Sequence, residues 1–371
     1  WSLTPAILMT DPKISAIVIP AGDATIAADM ARFMRIYMPR TYADWIDKVD
    51  VFILSDLVPW GFRDVHFLWM RRSIDEEGTG MILSEMGWYG TSHDWTENAC
   101  EDWVGTMVYE AYPCDMVLYK RNQMCPFLDL IEVPAEVLEL TGPFLGLPGF
   151  EQVMFADQQG IHVPRPGATV WARYRYGKEA AIVSRPYGKG MVVANSMGLE
   201  RFTQPYHEWK YYKDYFVNHA YMAAGARISD DLELVHRVRE SLETFRDNRA
   251  FVIGMIDFID RFNANTRPVE RMLAEMTPMR KEAEELYIQQ RYDEASLLLA
   301  TASARFDEIN QAAIKLRNQA LLWVYIIEWS TVSATSLITG ILIWALMVRR
   351  RLYREVGITR HATTREGDDQ S

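Results

Sequence analysis

Four residues able to move a proton or hold a metal lie just past two strand-like runs. Asp56 follows DVFILS, Glu85 follows GMILS, and His93 and Asp94 come a short loop later. In an open parallel α/β sheet, ligands bind in the crevice outside the carboxyl ends of the strands. Carboxylates and an imidazole gathered there suit general acid–base work or a metal. Ordinary loop polarity accounts for the same residues, so their spacing leaves both readings open. The loop that carries His93 and Asp94, MGWYGTSHDW, adds Trp88, Tyr89 and Trp95. Aromatic rings beside hydroxyl groups can stack on a carbohydrate, grip a partner protein or simply pack.

Stronger chemical signatures are missing from the sequence. There is no HExxH, no acidic calcium loop and no Asn-x-Ser/Thr sequon. The turn YGKG, Tyr187–Gly190, lacks Walker spacing and reads as a tight turn between strands. The three cysteines, Cys100, Cys114 and Cys125, show no CxxC spacing. Cys114 and Cys125 are the nearest pair and could form one disulfide; three buried thiols is the other reading. Neither a metal nor a cofactor is expected. His207–Glu208 reads as a surface pair.

The elements that would position these residues come in two styles. ISAIVIP (14–20), DVFILS (50–55) and GMILSE (80–85) are short β-rich runs. Helical patterns lie between them, in ATIAADMARFMRIY and WGFRDVHFLWMRRSIDEEG. Strands alternating with helices predict a parallel sheet. ATVWARYRYG, AAIVSRPYGKG and MVVANSMG then read as strands joined by glycine turns, an antiparallel extension. The aromatic helix PYHEWKYYKDYFVNHAYMAAG follows, with Gly225 as its stop.

In this order, DVFILSDL, RRSIDEEGTGMILSEMGWYG and VWARYRYGKEAAIVSRPYGKGMVVANSMG followed by an aromatic helix resemble the class I glutamine amidotransferase-like superfamily. The nearer resemblance is to its ThuA-like and membrane-anchored branches, over roughly residues 12–226. It implies a flavodoxin-like three-layer fold. Amidotransferase members place a cysteine nucleophile after the third strand. Here that strand runs into Ser84, Glu85, Met86 and Gly87, and Cys100 lies well downstream. A thiol nucleophile needs a strained, exposed turn and an adjacent base. The amidotransferase machinery therefore reads as lost.

The C-terminal third changes character. Ala295, Leu299, Ala302, Phe306, Ile309, Ala313, Leu316, Ala320 and Trp323 recur at alternating spacings of four and three. That is a heptad seam, which wants a partner helix. Val269, Met272, Met276, Met279, Ala283 and Leu286 keep a similar rhythm, as do Val235, Val238, Leu242 and Phe245. Three helices, about 230–262, 268–288 and 292–325, are predicted to pack as an antiparallel bundle or coiled-coil stalk. Pro268 suits a first turn, and Pro278 should kink or interrupt its helix.

Residues 329–348, WSTVSATSLITGILIWALMV, carry no formal charge. Twenty such residues suffice to cross about 30 Å of hydrocarbon. Trp329 and Trp344 stand toward the two ends, and Arg349, Arg350 and Arg351 follow at once. The positive-inside rule puts that end in the cytoplasm. The larger N-terminal part is then expected outside the cell membrane, with a signal peptide removed.

The expected organisation is an α/β ectodomain (1–226), a helical stalk (227–328), a transmembrane helix (329–348) and a cytoplasmic tail (349–371). The 371 residues carry a formal charge of −11, from 39 Lys and Arg against 50 Asp and Glu. Nucleic acid, which demands clustered positive charge, is excluded as the main partner. The function expected is a non-catalytic, single-pass, cell-surface subunit that binds or assembles a membrane complex. Its partners would be the membrane, other membrane-protein subunits and, through the aromatic loop, a carbohydrate. A surface hydrolase acting on a sugar or amide is the alternative.

Overall fold

The computed structural model describes residues 3–19, 27–55, 59–84, 103–117, 129–140, 142, 144–150, 154–155, 161–175, 178–196, 209–262 and 264–365. Two compact units are present: Trp1–Glu243 with Ala283–Ser296, and Thr244–Glu282 with Leu297–Ser371. The first is a mixed α/β structure. The second is built from helices.

Nine strands form the sheet among the described residues: β1 (Val51–Ser55), β2 (Gly80–Ser84), β3 (Cys114–Val117), β4 (Asp129–Glu132), β5 (Met154–Phe155), β6 (Ile161–Pro164), β7 (Thr169–Tyr174), β8 (Ala180–Tyr187) and β9 (Gly190–Asn195). The main order is β1-β2-β9-β8-β7-β4-β5, with β6 also pairing β8 and β3 pairing β6. Only β1, β2 and β9 run parallel to one another; the remaining pairs are antiparallel. β2 is buried at every position, as expected of a parallel strand covered on both faces.

Side-chain alternation sends the central strands into two cores. Met81, Leu83, Val192 and Ala194 pack with Trp45 of α3 (Tyr42–Lys48) and with Phe67 and Met70 of α4 (Asp64–Arg72). Ile82 and Val193 instead join Tyr212, Tyr215 and Phe216 of α5 (Tyr212–Ala223). Two shorter N-terminal helices, α1 (Leu3–Leu8) and α2 (Ala27–Tyr37), complete this part of the chain. Helix α5 stops where Gly225 takes a φ of +65°, a left-handed conformation that glycine adopts at little cost.

The YGKG turn is a two-residue hairpin loop between β8 and β9, with Tyr187 opposite Gly190. Gly188 has φ +56°, as the first loop position of a type II′ hairpin requires. The loop also leans on the turn 73–77 that extends α4. A Cβ on Gly188 would stand 2.2 Å from Asp75 Oδ1 and 2.3 Å from the Asp75 carbonyl oxygen.

Three expectations from sequence are corrected here. ISAIVIP forms no strand over its described part, 14–19. Ile17 is 65% exposed, and a lone extended run without a neighbour has nowhere to pair its backbone groups. The antiparallel side is larger than the sequence suggests, because β3, β4, β5 and β6 are too short to declare themselves by alternation. Pro278 does not interrupt its helix, α7 (Arg267–Ile288). The carbonyl that loses its partner belongs to Ala274, which is exposed, so water can satisfy it.

Helices α6 (Leu232–Asp260), α7 and α8 (Tyr292–Arg365) carry the C-terminal part. On α8, Ala295, Leu299, Ala302, Phe306, Ile309, Ala313 and Ala320 are buried, Leu316 is half-buried and Trp323 is exposed. Phe306 meets Phe245 of α6 edge to face, with ring centroids 4.7 Å apart. On α7 the buried positions are Val269, Leu273, Met276, Ala283 and Tyr287, while Met272, Met279 and Leu286 are only half-buried. The expected phase is thus off by one residue at two positions, where Leu273 and Tyr287 are buried in place of Met272 and Leu286. Met272 and Leu273 are equally apolar, so only the neighbours decide which one turns inward.

Two stability predictions follow from this packing. Phe306→Ala should cost about 3–5 kcal/mol, whereas the exposed Asp307→Lys should cost under about 0.5 kcal/mol. Thermal unfolding of the two variants in detergent tests this, and equal midpoints would contradict the seam. Gly188→Ala should lose about 1–3 kcal/mol through backbone strain and the clash with Asp75. A urea midpoint unchanged from the parent would show that the hairpin has room to yield.

Candidate functional site

The three parallel strands end together. Ser55 pairs with Ser84, and Ser84 pairs with Asn195, so their last residues form a polar row across the carboxyl edge. Asn195 is buried, and its Oδ1 accepts a hydrogen bond from the Tyr215 hydroxyl at 3.2 Å. Ser196 lies next along the chain, and its hydroxyl is 2.7 Å from the Tyr174 hydroxyl. Among the described residues, Ser55 Oγ and Asn195 Nδ2 of this row have no hydrogen-bond partner.

Helix α5 supplies an imidazole on the Tyr215 side. His219 Nδ1 lies 2.7 Å from the Tyr215 carbonyl oxygen. A carbonyl can only accept, so Nδ1 carries the proton and Nε2 presents a lone pair, which has no partner among the described residues. Burial lowers the pKa to about 4, against a smaller upward pull from that hydrogen bond. The ring is therefore neutral at pH 7, stacked on Phe144 at 6.0 Å and tilted against Tyr215 at 4.3 Å. The arrangement offers hydroxyl, amide and neutral imidazole groups, which can bind a polar ligand or water. Among the described residues these groups include no carboxylate and no thiol. Among the described residues there is no group of three or more His, Cys, Asp or Glu able to hold a metal.

The residues singled out from sequence for chemistry, Asp56, Glu85, His93 and Asp94, lie outside the described residues. So do Trp88, Tyr89 and Trp95 of the aromatic loop, His207, Glu208, Cys100 and Cys125. Cys114 is buried at the start of β3.

Sequence reasoning missed the most highly charged buried cluster among the described residues. Arg239 of α6 sends Nη1 to Asp214 Oδ1 at 2.6 Å and Nε to Asp11 Oδ2 at 3.0 Å. The same Nε lies 2.8 Å from the Tyr287 hydroxyl. Tyr221 and Tyr287 both donate to Asp11, Tyr221 at 2.7 Å. His236 Nδ1 lies 2.6 Å from Asp214 Oδ2, and its Nε2 is 3.3 Å from Glu240 Oε1. That second approach fits an ion pair by distance but lacks hydrogen-bond geometry, since Nε2 is unpartnered. Burial works against the charge on Arg239, but Tyr287, Asp11 and Asp214 outweigh it and hold its pKa above the ordinary value. Burial also raises Tyr287 well above the usual phenol range, with Arg239 opposing. The signal that could have found the cluster is charge in apolar surroundings: Asp214 sits in the aromatic run YYKDYF, and Arg239 follows Val238 on a helix whose neighbours are buried.

Among the described residues, α8 is the one helix long and apolar enough to cross a membrane, and none of its apolar window is buried. Trp329 and Trp344 are exposed, as are Arg349, Arg350 and Arg351. This is compatible with a single-pass membrane protein.

No protein-family model matches the sequence, and no curated protein matches it. Two solved structures are similar in part. "Cytoplasmic Protein STM3548 from Salmonella typhimurium" aligns with a TM-score of 0.41 at 16% identity, covering 52% of this chain and 78% of that one. "Cytoplasmic Protein STM1381 from Salmonella typhimurium LT2" aligns with a TM-score of 0.39 at 16% identity, covering 50% and 76%.

Two measurements probe these groups. Arg239→Ala leaves two buried carboxylates uncompensated and should cost about 3–5 kcal/mol; Arg239→Lys should recover only part, lacking a fork that reaches both. Urea unfolding of both variants checks this, and a neutral Arg239→Ala would mean that water reaches the carboxylates. Burial also lowers His162 to about 4. Because the folded pKa of each histidine is depressed, the unfolded chain takes up protons first. Stability is full above about pH 6.5 and falls as pH drops toward 4, by up to roughly 3 kcal/mol per histidine. His219→Gln should flatten the slope of unfolding free energy between pH 7 and 4.5.

Proposed function

We propose that the protein is a non-catalytic, membrane-anchored subunit that binds or assembles other membrane proteins at the cell surface. The observation that carries this reading is the apolar stretch of α8, none of which is buried. Apolar surface of this length is costly in water and is satisfied by lipid or by neighbouring helices in lipid. Arg349, Arg350 and Arg351 close the stretch, which supports an outside-to-inside orientation with the α/β unit outside and the tail in the cytoplasm. A removed signal peptide belongs to the same proposal.

On this reading the α/β unit is a flavodoxin-like domain related to the glutamine amidotransferase-like superfamily without its nucleophile. The parallel β1, β2 and β9 with helices on both faces support that relation. The C-terminal helices act as a bundle or stalk, supported by the buried 4-3 spacing on α8. A surface hydrolase acting on a sugar or amide is the second reading. It is favoured by the row of Ser55, Ser84 and Asn195 at the strand edge.

Protease added to intact cells should digest the α/β unit and spare the segment after Arg349. Protection of the whole α/β unit would reverse the orientation. Purification in mild detergent should recover stable membrane partners; a lone monomer with hydrolytic turnover would favour the second reading.

A further inference from the structure

Lys13 stands in a cage of three tyrosines. Its Nζ lies 5.4 Å from the ring centroid of Tyr287 and 5.8 Å from those of Tyr221 and Tyr292. A cation within about 6 Å of an aromatic ring centroid, over its face, is attracted by the ring quadrupole, and a set of such faces recognises quaternary ammonium groups. Among the described residues, Lys13 makes a hydrogen bond through its amide nitrogen, to Asp11 Oδ1 at 2.9 Å, and none through Nζ. The ammonium is thus held by ring faces and charge, a mode that tolerates methyl groups on the nitrogen.

The cage is built independently of its occupant. The hydroxyls of Tyr221 and Tyr287 are tied to Asp11, which pins both rings. Tyr292 packs on Tyr287 with centroids 5.3 Å apart and planes 67° apart. Charge also calls for a cation. Asp11 and Asp214 bring two buried carboxylates to the cluster beside the one guanidinium of Arg239, and Lys13 stands close enough to Asp11 to feel its charge. Burial lowers the pKa of Lys13, with Asp11 opposing. A permanently charged quaternary ammonium cannot lose a proton under that pressure.

We propose that Tyr221, Tyr287 and Tyr292 form an alkylammonium-binding site, that Lys13 is its resident side chain, and that a quaternary or methylated ammonium competes with Lys13 for it. The full chain in detergent, carrying Lys13→Ala, provides the test. Choline should raise its thermal midpoint saturably, while the neutral isostere 3,3-dimethylbutan-1-ol should not. The intact protein should need about tenfold more choline, because Lys13 must first be displaced. Adding Tyr292→Ala to the Lys13→Ala variant should abolish the response. Equal effects of choline and its neutral isostere, or no effect of choline on a folded Lys13→Ala variant, would overturn the proposal. If Lys13→Ala fails to fold, the intact protein serves instead. Choline, and not the isostere, should speed acylation of Lys13 by an activated ester, read by peptide mass spectrometry. Unchanged labelling would also overturn it.

Discussion

Arg239 is held between two carboxylates and is almost wholly buried. Removing an ion from water costs several kcal/mol even after the protein relaxes, so none of the three charges is tolerable there without the others. Their mutual dependence ties distant parts of the chain together: Asp11 before the sheet begins, Asp214 on α5, Arg239 on α6 and Tyr287 near the end of α7. Ion pairs of this kind are weak evidence for net stability. Their stronger effect is on uniqueness, because any register of these segments that separates the charges leaves one of them bare.

Helix α5 shows how the same constraint reaches the sheet edge. Nearly all of it is buried, which is unusual for a helix carrying Asp, Asn, His and several Tyr. Helical periodicity sorts the polar groups onto two sides. Asp214 and Tyr221 turn to the Arg239 cluster, and Tyr215 and His219 turn to Phe144 and Asn195. Fixing one side of a rigid helix fixes the other, so the hydrogen bond from Tyr215 to Asn195 inherits its geometry from the buried charges. The unpartnered atoms of Asn195 and His219 then remain where the fold holds them, rather than swinging to find partners of their own.

Helix α8 makes a contrasting point about apolar residues. Ala320 is buried, yet Leu322, Trp323, Tyr325, Ile326 and Ile327 just beyond it are exposed, and exposure continues to Val348. The residue types hardly change across that boundary; what changes is whether another helix covers them. The exposed run is longer than the charge-free segment from Trp329, with Glu328 inside it. Trp323, Tyr325 and Trp329 are amphipathic side chains of the kind that settle at a membrane–water interface.

Much of this architecture is legible in short stretches of sequence. DVFILS, GMILS and the three runs around YGKG read as strands because their alternation and turn glycines are local signals. The same holds for the stop at Gly225, the 4-3 spacing on α8 and the apolar segment before the arginines. All depend on contacts between residues two to four apart, or on composition within one helix length. What lay beyond reach depends on pairing across the chain. Whether ISAIVIP is a strand turns on a neighbour, and whether Met272 or Leu273 faces inward turns on the helix opposite. The candidate site divides the same way: a polar strand edge was expected, but Asn195, Tyr215 and His219 could not be named. Arg239 reads in sequence as one more solvated charge on an amphipathic helix. Only chain closure over 228 residues to Asp11 made it a buried ion, because the partners that offset its desolvation are assembled by the tertiary fold.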